Sequence, residues 1–239
     1  MKSPLENGTW LDLDEVDSTQ SVVAQYLRGD LEGPCPGIVY ARNQTEGKGR
    51  FGRTWVSRPD DSLTFSMVFS QYAGHEKPWL IGMAVALAAA GVVHCQLRWP
   101  NDLTIMEKKL GGILTELLPD TEGRLVPVVG VGINVNQTEF PPEIAETATS
   151  LALHRPGPFE PRKIAEKIVA RLDDLPEPVA WADLGPIWSL FDATPGKRYR
   201  LQSGEEAVAI GVGPDGELLC AVHGETRTVV AAEAHFGHP

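Results

Sequence analysis

Long apolar runs are absent from this 239-residue chain. The longest, Ile81 to Val93, is alanine-rich and shorter than the roughly 20 residues a membrane helix needs. No membrane association is expected. The segment Met1-Lys2-Ser3-Pro4-Leu5-Glu6 lacks the apolar stretch of a secretory signal, so a cytoplasmic location is expected. Cysteine is scarce. Cys35, Cys95 and Cys220 are odd in number, far apart and set among apolar residues, with no CxxC pair and no zinc spacing. Buried, reduced thiols are the plain expectation. Positive charge is also in deficit: 21 Lys and Arg stand against 32 Asp and Glu, a net charge of −11. Bulk attraction to nucleic acid is therefore not expected. The hydrophobic fraction, 42%, is ordinary, and it suffices for one substantial domain, or a domain with a small appendage.

Hydrophobic periodicity places the elements. Trp10 to Val16 alternates and predicts a half-buried strand. Asp17 or Ser18 can cap a helix reaching about Arg28, with Val22, Val23, Tyr26 and Leu27 on one face and Gly29-Asp30 closing it. Gly37 to Ala41 and Leu63 to Ser70 read as strands. Pro78 to Ala90 predicts a helix with Trp79, Leu80, Met83, Ala84, Leu87 and Ala88 on one face. Leu97 to Trp99 is a short strand stopped by Pro100. Lys109 to Leu118 and Val126 to Val135 are strands joined by a turn at 119–124. Glu160 to about Leu175 and Trp181 to Phe191 predict two more helices, the second kinked near Gly185-Pro186. Thr194-Pro195-Gly196 reads as a linker. Four or five short strands follow, with a hairpin turn at Pro214-Asp215-Gly216, which suggests a small β-barrel. The expected fold is α+β, divided into residues 1–194 and 195–239.

Against the acidic background one local cluster of cations stands out. Residues 48 to 58 carry Lys48, Arg50, Arg53 and Arg58, with no acid before Asp60. Three of them interleave with glycines in Gln44-Thr45-Glu46-Gly47-Lys48-Gly49-Arg50-Phe51-Gly52-Arg53-Thr54-Trp55. Glycines let backbone N–H groups turn inward around an anion, and arginine grips a phosphate or carboxylate through two donors. Neither the Walker A spacing nor a dinucleotide fingerprint is present. A solvated surface loop is the alternative, though the loop follows directly on a buried strand.

Four weaker signals accompany it. Trp99-Pro100-Asn101-Asp102 presents two side-chain oxygens at a strand end, where Asp102, or Asn101, could hold Mg²⁺; an ordinary turn is the alternative. Lys108-Lys109-Leu110-Gly111-Gly112 sends Lys109 into an apolar strand, from which its ammonium could reach an anion. Asp17-Ser18-Thr19-Gln20 offers hydroxyls at a helix start, for capping or for a urea or carboxamide. In Gly130-Val131-Gly132-Ile133-Asn134-Val135 the glycines would let a flat ligand lie against the backbone.

Taken in order, DSTQ, QTxGKGRxGRxW, WPND, KKLGGIL and VGVGINV resemble the catalytic domain of biotin–protein ligases, and Gly196 to Phe236 resembles that family's small SH3-like C-terminal domain. The resemblance implies a class II synthetase-like mixed sheet flanked by helices. It implies that ATP activates biotin as biotinyl-5′-AMP and that a lysine of a biotin carboxyl carrier protein receives it. By motif, Ser18, Thr19, Gln20, Gln44, Gly47, Lys48, Gly49, Arg50, Lys109, Gly112 and Gly130 would hold biotin. Arg50, Arg53, Trp55, Asn101, Asp102, Lys109 and Asn134 would hold ATP, with Asp102 on Mg²⁺. Lys109 and Arg50 would be catalytic. Lys48 departs from the family's usual arginine, keeping the charge but losing the planar fork. Some members carry an N-terminal DNA-binding domain, for which fewer than a dozen residues before the first strand leave no room; no DNA contact is expected. Relatives often pair sheet edges, so a homodimer is allowed. Rival readings are a lipoate ligase or octanoyltransferase of the same architecture, a non-catalytic biotin or nucleotide binder, and a nucleic-acid binder.

Overall fold

Alternation in the first segment produces a strand, β1 (Trp10–Val16), and the next turn of sequence produces α1 (Thr19–Arg28), closed by Gly29 in the left-handed conformation at φ 77°. The structure, a computed structural model, describes residues 1–6, 8–231 and the backbone of 234–236. Strands β2 (Ile38–Gln44), β3 (Gly47–Lys48), β4 (Thr54–Trp55) and β5 (Ser62–Val68) follow. After helix α2 (Trp79–Val93) come β6 (Gln96–Arg98), β7 (Asp102–Ile105), β8 (Lys108–Pro119) and β9 (Leu125–Asn134). Helices α3 (Pro161–Arg171) and α4 (Trp181–Trp188) complete this part, with Pro186 inside α4.

Seven strands form one mixed sheet in the order β1-β2-β5-β9-β8-β7-β6. Only β1 and β2 run parallel; the other pairings are antiparallel. The expectation of an α+β fold with a mixed sheet flanked by helices is met.

Three features correct the expectations or add to them. The alternation in β5 is real, yet no residue of it faces water. Leu63, Phe65 and Met67 enter the main core, and the polar set is buried because it is bonded. Thr64 Oγ1 donates to the Ala41 carbonyl at 2.7 Å, and Ser66 meets Thr19. Helix α2 has no single apolar face. It is buried from Leu80 to Ala90 because it packs between the sheet and helices α3 and α4, and Trp79 at its start is the exposed member. Finally, β7 was not foreseen. Its four residues pair with both β6 and β8, so the Asn-Asp segment enters a strand rather than ending in a free turn.

The C-terminal strands are β10 (Arg198–Leu201), β11 (Glu206–Val212), β12 (Leu218–Val222), β13 (Glu225–Val229) and β14 (Ala234–Phe236), in an antiparallel sheet ordered β13-β12-β11-β10-β14. The expected linker is anchored. Thr194 is buried, and its Oγ1 accepts the Trp99 N–H at 2.9 Å. The Trp99 indole donates to the Gly216 carbonyl at 2.9 Å, and the Tyr199 hydroxyl donates to the Trp99 carbonyl at 2.7 Å. One hydrophobic core runs from Ile38 and Phe65 through Trp99 to Tyr199, Leu218 and Cys220. Cys95 and Cys220 are buried as expected, whereas Cys35 is only half-buried. Burial pushes the Cys35 thiol up to about 11 and that of Cys95 to about 12, so neither is a reactive thiolate at neutral pH. Among the described residues no helix is long and apolar enough to cross a membrane.

Candidate active site

Strand periodicity builds the floor of the site. Gly130, Gly132 and Asn134 alternate along β9, and Gly112 of β8 pairs with Gly132. Above this floor lies a cleft of about 320 Å³. Of the residues singled out by motif, Ser18, Thr19, Gln20, Gln44, Lys48, Gly49, Arg50, Arg53, Trp55, Asn101, Asp102, Lys109, Gly112, Gly130 and Asn134 all line it. Gly47 does not. It pairs with Trp55 in the β3–β4 ribbon, where an added Cβ would lie 2.5 Å from the Trp55 carbonyl oxygen. Its role is to let the ribbon close.

One end of the cleft is neutral and hydrogen-bonding. Ser18 is the helix N-cap, but its side chain makes no capping bond, which leaves its hydroxyl for the cleft. Gln44 Oε1 accepts from the Thr19 backbone N–H at 2.8 Å and from Thr19 Oγ1 at 3.0 Å. An N–H can only donate, so the Gln44 amide has one orientation and its Nε2 hydrogens point elsewhere. Buried Ser66, which no motif revealed, holds Thr19 Oγ1 at 2.7 Å. Gln20 lies over Gly130, donating to the Leu114 carbonyl at 3.2 Å.

The centre is cationic. Lys109 Nζ lies 2.6 Å from Asp102 Oδ1, and Arg98 holds Asp102 Oδ2 at 2.8 Å. Burial alone would push the Asp102 carboxyl up. The facing Lys109 and Arg98 outweigh it and hold the group below the usual carboxylate range. Lys109 is fixed at its backbone as well, donating to the Thr147 carbonyl and accepting from the Thr149 N–H. Its side chain remains 39% exposed, so the ammonium can still meet a ligand. Arg50 Nη1 donates to Asn101 Oδ1 at 3.3 Å, and Nη2 donates to the Ala231 carbonyl of the C-terminal segment. Burial lowers the Arg50 pKa, with Asp102 partly opposing, yet a guanidinium stays charged at neutral pH. Lys48 differs from these. Its ammonium reaches Ser21 Oγ on α1 at 3.3 Å, on the exposed side of the loop.

The flat group against the glycines is the protein's own. A Cβ on Gly132 would lie 2.7 Å from the Trp55 indole, so that ring lies directly on the backbone where a planar ligand was expected. The far end of the cleft carries residues that the sequence did not flag: Gln137, Phe140, Ile144 and Thr147, from the turns after β9. No motif marks them, and only the fold brings them over Asn134.

Asp102 does not make a metal site by itself. Both its oxygens are taken by ion pairs, and among the described residues no group of three or more His, Cys, Asp or Glu could hold a metal ion.

A model of the biotin/lipoate A/B protein ligase family matches residues 14–136, just over half of the chain. The bifunctional ligase/repressor BirA of Bacillus spizizenii is 32% identical over 147 residues, 58% of this chain and 45% of that protein, so the match spans under half of that relative. The biotin–[acetyl-CoA-carboxylase] ligase of Mycobacterium tuberculosis is 27% identical over 247 residues, covering 94% of this chain and 88% of its own. Among solved structures, the biotin protein ligase from Aquifex aeolicus in complex with biotin and ATP superposes with a TM-score of 0.75 at 26% identity, covering 97% of this chain and 99% of that one.

Proposed function

The chain belongs to the biotin/lipoate A/B protein ligase family, and we propose that within it the protein is a biotin–protein ligase, attaching biotin to a lysine of a biotin carboxyl carrier protein at the expense of ATP. The observation that carries this reading is the order of chemistry along the cleft: a neutral hydrogen-bonding end at Gly130, a cationic centre at Gly112, and a far end at Asn134. That order matches a ligand with a neutral polar ring, an anionic junction and a nucleoside.

The reaction has two steps. A carboxylate oxygen of biotin attacks the α-phosphorus of ATP, the bond to the bridging oxygen breaks, and pyrophosphate leaves biotinyl-5′-AMP. The carrier's lysine amine then attacks the mixed-anhydride carbonyl, loses a proton and expels AMP. Lys109 and Arg50 act at the junction, where negative charge concentrates in both transition states. Ser18, Thr19, Gln20 and Gln44 hold the ring; the Nε2 hydrogens of Gln44 suit a ureido carbonyl. Lys48, Gly49, Gly112 and Gly130 bound the biotin side, and Gly47 shapes the loop around it. Arg53, Trp55, Asn101, Asp102 and Asn134 bound the nucleotide side. With both Asp102 oxygens engaged, Mg²⁺ would enter as the counter-ion of the ATP phosphates rather than on a site the protein builds. Residues 1–194 form the catalytic domain and 195–239 the C-terminal domain in this reading. Cytoplasmic location, absence of DNA contact and a homodimer paired through a sheet edge are further proposals, the second supported by the net charge of −11.

A carrier domain incubated with the protein, biotin and Mg·ATP should gain one biotin-sized mass by mass spectrometry; no gain overturns the reading. Lipoate is the competing substrate within the family. Its dithiolane ring offers no carbonyl to Gln44, so ATP–pyrophosphate exchange should respond to biotin, and a response to lipoate alone would reassign the enzyme.

A further inference from the structure

Arg98 is a buried cation that does not line the cleft, yet it is bonded to what does. Its side chain is 3% exposed, at the end of the three-residue strand β6. Cross-strand pairing sets Asp102 of β7 directly opposite, and Arg98 Nη2 holds Asp102 Oδ2 at 2.8 Å. The other terminal nitrogen, Nη1, donates to the Glu107 carbonyl at 3.3 Å, in the turn two residues before Lys109. Arg98 therefore touches both supports of Lys109. One is the carboxylate that pairs with its ammonium, and the other is the turn that leads into its strand.

A lysine that serves a ligand has to leave its resting partner. Lys109 Nζ sits 2.6 Å from Asp102 Oδ1, and an anion at the junction has to draw the ammonium away from that oxygen. With Lys109 as its one close cation, Asp102 would be stripped by that move, and a largely buried carboxylate left unpaired is strongly disfavoured. Arg98 removes the obstacle. It stays on Oδ2 while Lys109 turns to the ligand, so Asp102 is never without a partner. The two cations also repel each other across the carboxylate, which loosens its hold on the mobile one. We propose that Arg98 is a positioning residue for the adenylation step, keeping Asp102 paired from behind and so freeing the Lys109 ammonium for the carboxylate–phosphate junction. This rests on the ligase reading above and adds to it a residue that meets neither substrate.

The test is a double-mutant cycle on the full chain, read by the maximal rate of biotin-dependent ATP–pyrophosphate exchange. Arg98→Met, unbranched and without charge, should lower that rate roughly ten- to a hundred-fold in the otherwise unmodified protein, with biotin affinity changed far less. In the Asp102→Asn background no carboxylate remains to hold Lys109 back, and adding Arg98→Met should cost roughly three-fold or less. A residue that only supports the fold would cost the same in both. Arg98→Gln, which keeps a donor for the Glu107 carbonyl, replaces Arg98→Met if that variant is unfolded at the assay temperature. If Asp102→Asn is too slow to assay, competitive acetylation of the lysines, read by mass spectrometry, replaces the cycle. The Lys109 amine should then react several-fold more slowly in Arg98→Met than in the unmodified protein, and an equal rate overturns the proposal. Equal losses of exchange in the two backgrounds would overturn it too, as would a loss confined to substrate affinity with the maximal rate unchanged. Absence of exchange in the unmodified protein would overturn the ligase reading and this inference together, whereas exchange with equal losses overturns this inference alone.

Discussion

Lys109 and Asp102 form an ion pair whose two members serve different ends. The ammonium is 39% exposed and faces the cleft, whereas the carboxylate is held from behind by buried Arg98. Replacing Lys109 by Met removes the charge at the junction and leaves Asp102 still paired with Arg98. Biotin- and ATP-dependent pyrophosphate exchange should fall by about 10² to 10³-fold, with a much smaller loss in biotin affinity. Equal losses in binding and exchange, measured by titration and initial rates, would make Lys109 a binding residue with no added role in the transition state. The same cluster sets an acid limit on stability. The folded Asp102 is depressed below its unfolded value, so its contribution is present above about pH 4 and is lost as pH falls through the folded value. Asp102→Asn should therefore be less stable than the parent at pH 7, with the gap closing as the pH falls through the folded value. Denaturant titrations at several pH values check this, and a gap independent of pH would contradict it.

At the scale of elements, two adjacent glycines make a contrast that packing alone decides. A Cβ at Gly111 would lie 2.4 Å from the Gly132 carbonyl oxygen, and backbone cannot yield without parting β8 from β9. A Cβ at Gly132 meets the Trp55 indole first, and that ring hangs on the two-residue strand β4. Gly111→Ala should cost about 1–3 kcal/mol; Gly132→Ala should cost less in stability and more in nucleotide affinity, because Trp55 must move. Unfolding midpoints and ATP titrations of the two variants give the comparison, and an equally stable Gly111→Ala would refute it. The strands carrying these glycines were legible because runs of Val, Ile and Leu bounded by a turn leave few alternatives. The cation loop was legible because its charges stand against an acidic chain. Strand β7 was not, since four residues after Pro-Asn carry too short a pattern and depend on β6 and β8 for their bonds. Nor was the burial of α2, because its alanines permit any face and only its neighbours select all of them. Gln137 and Ser66 stayed hidden for a third reason. Their roles come from partners across the fold, Asn134 and Thr19, and a single polar side chain has no periodicity to betray it.

Over the whole molecule, the decisive contacts are those between the two sheets. Trp99 is the hinge of the motif that positions Asn101 and Asp102, and the C-terminal part holds it at two atoms. Tyr199 donates to its carbonyl and the Gly216 carbonyl takes its indole N–H, while Thr194, just before that part, takes its backbone N–H. Arg50 is bonded to the Ala231 carbonyl from the same part of the chain. A single buried core continues through these contacts, and Trp99 and Tyr199 stack edge-to-face at 5.8 Å between centroids. Two sheets joined by shared core and shared hydrogen bonds should unfold together, giving one calorimetric transition whose enthalpy matches the van't Hoff value. The coupling also gives the C-terminal sheet influence over chemistry it does not touch. Tyr199→Phe keeps the ring in the core and removes one donor to the Trp99 carbonyl, a loss of about 1 kcal/mol in stability. If Trp99 relays position to Asn101 and Asp102, the same variant should lower the rate of biotin-dependent pyrophosphate exchange several-fold with the transition still single. Two resolved transitions in the parent, or an unchanged rate in Tyr199→Phe at a temperature where it is fully folded, would show that the sheets are neighbours only.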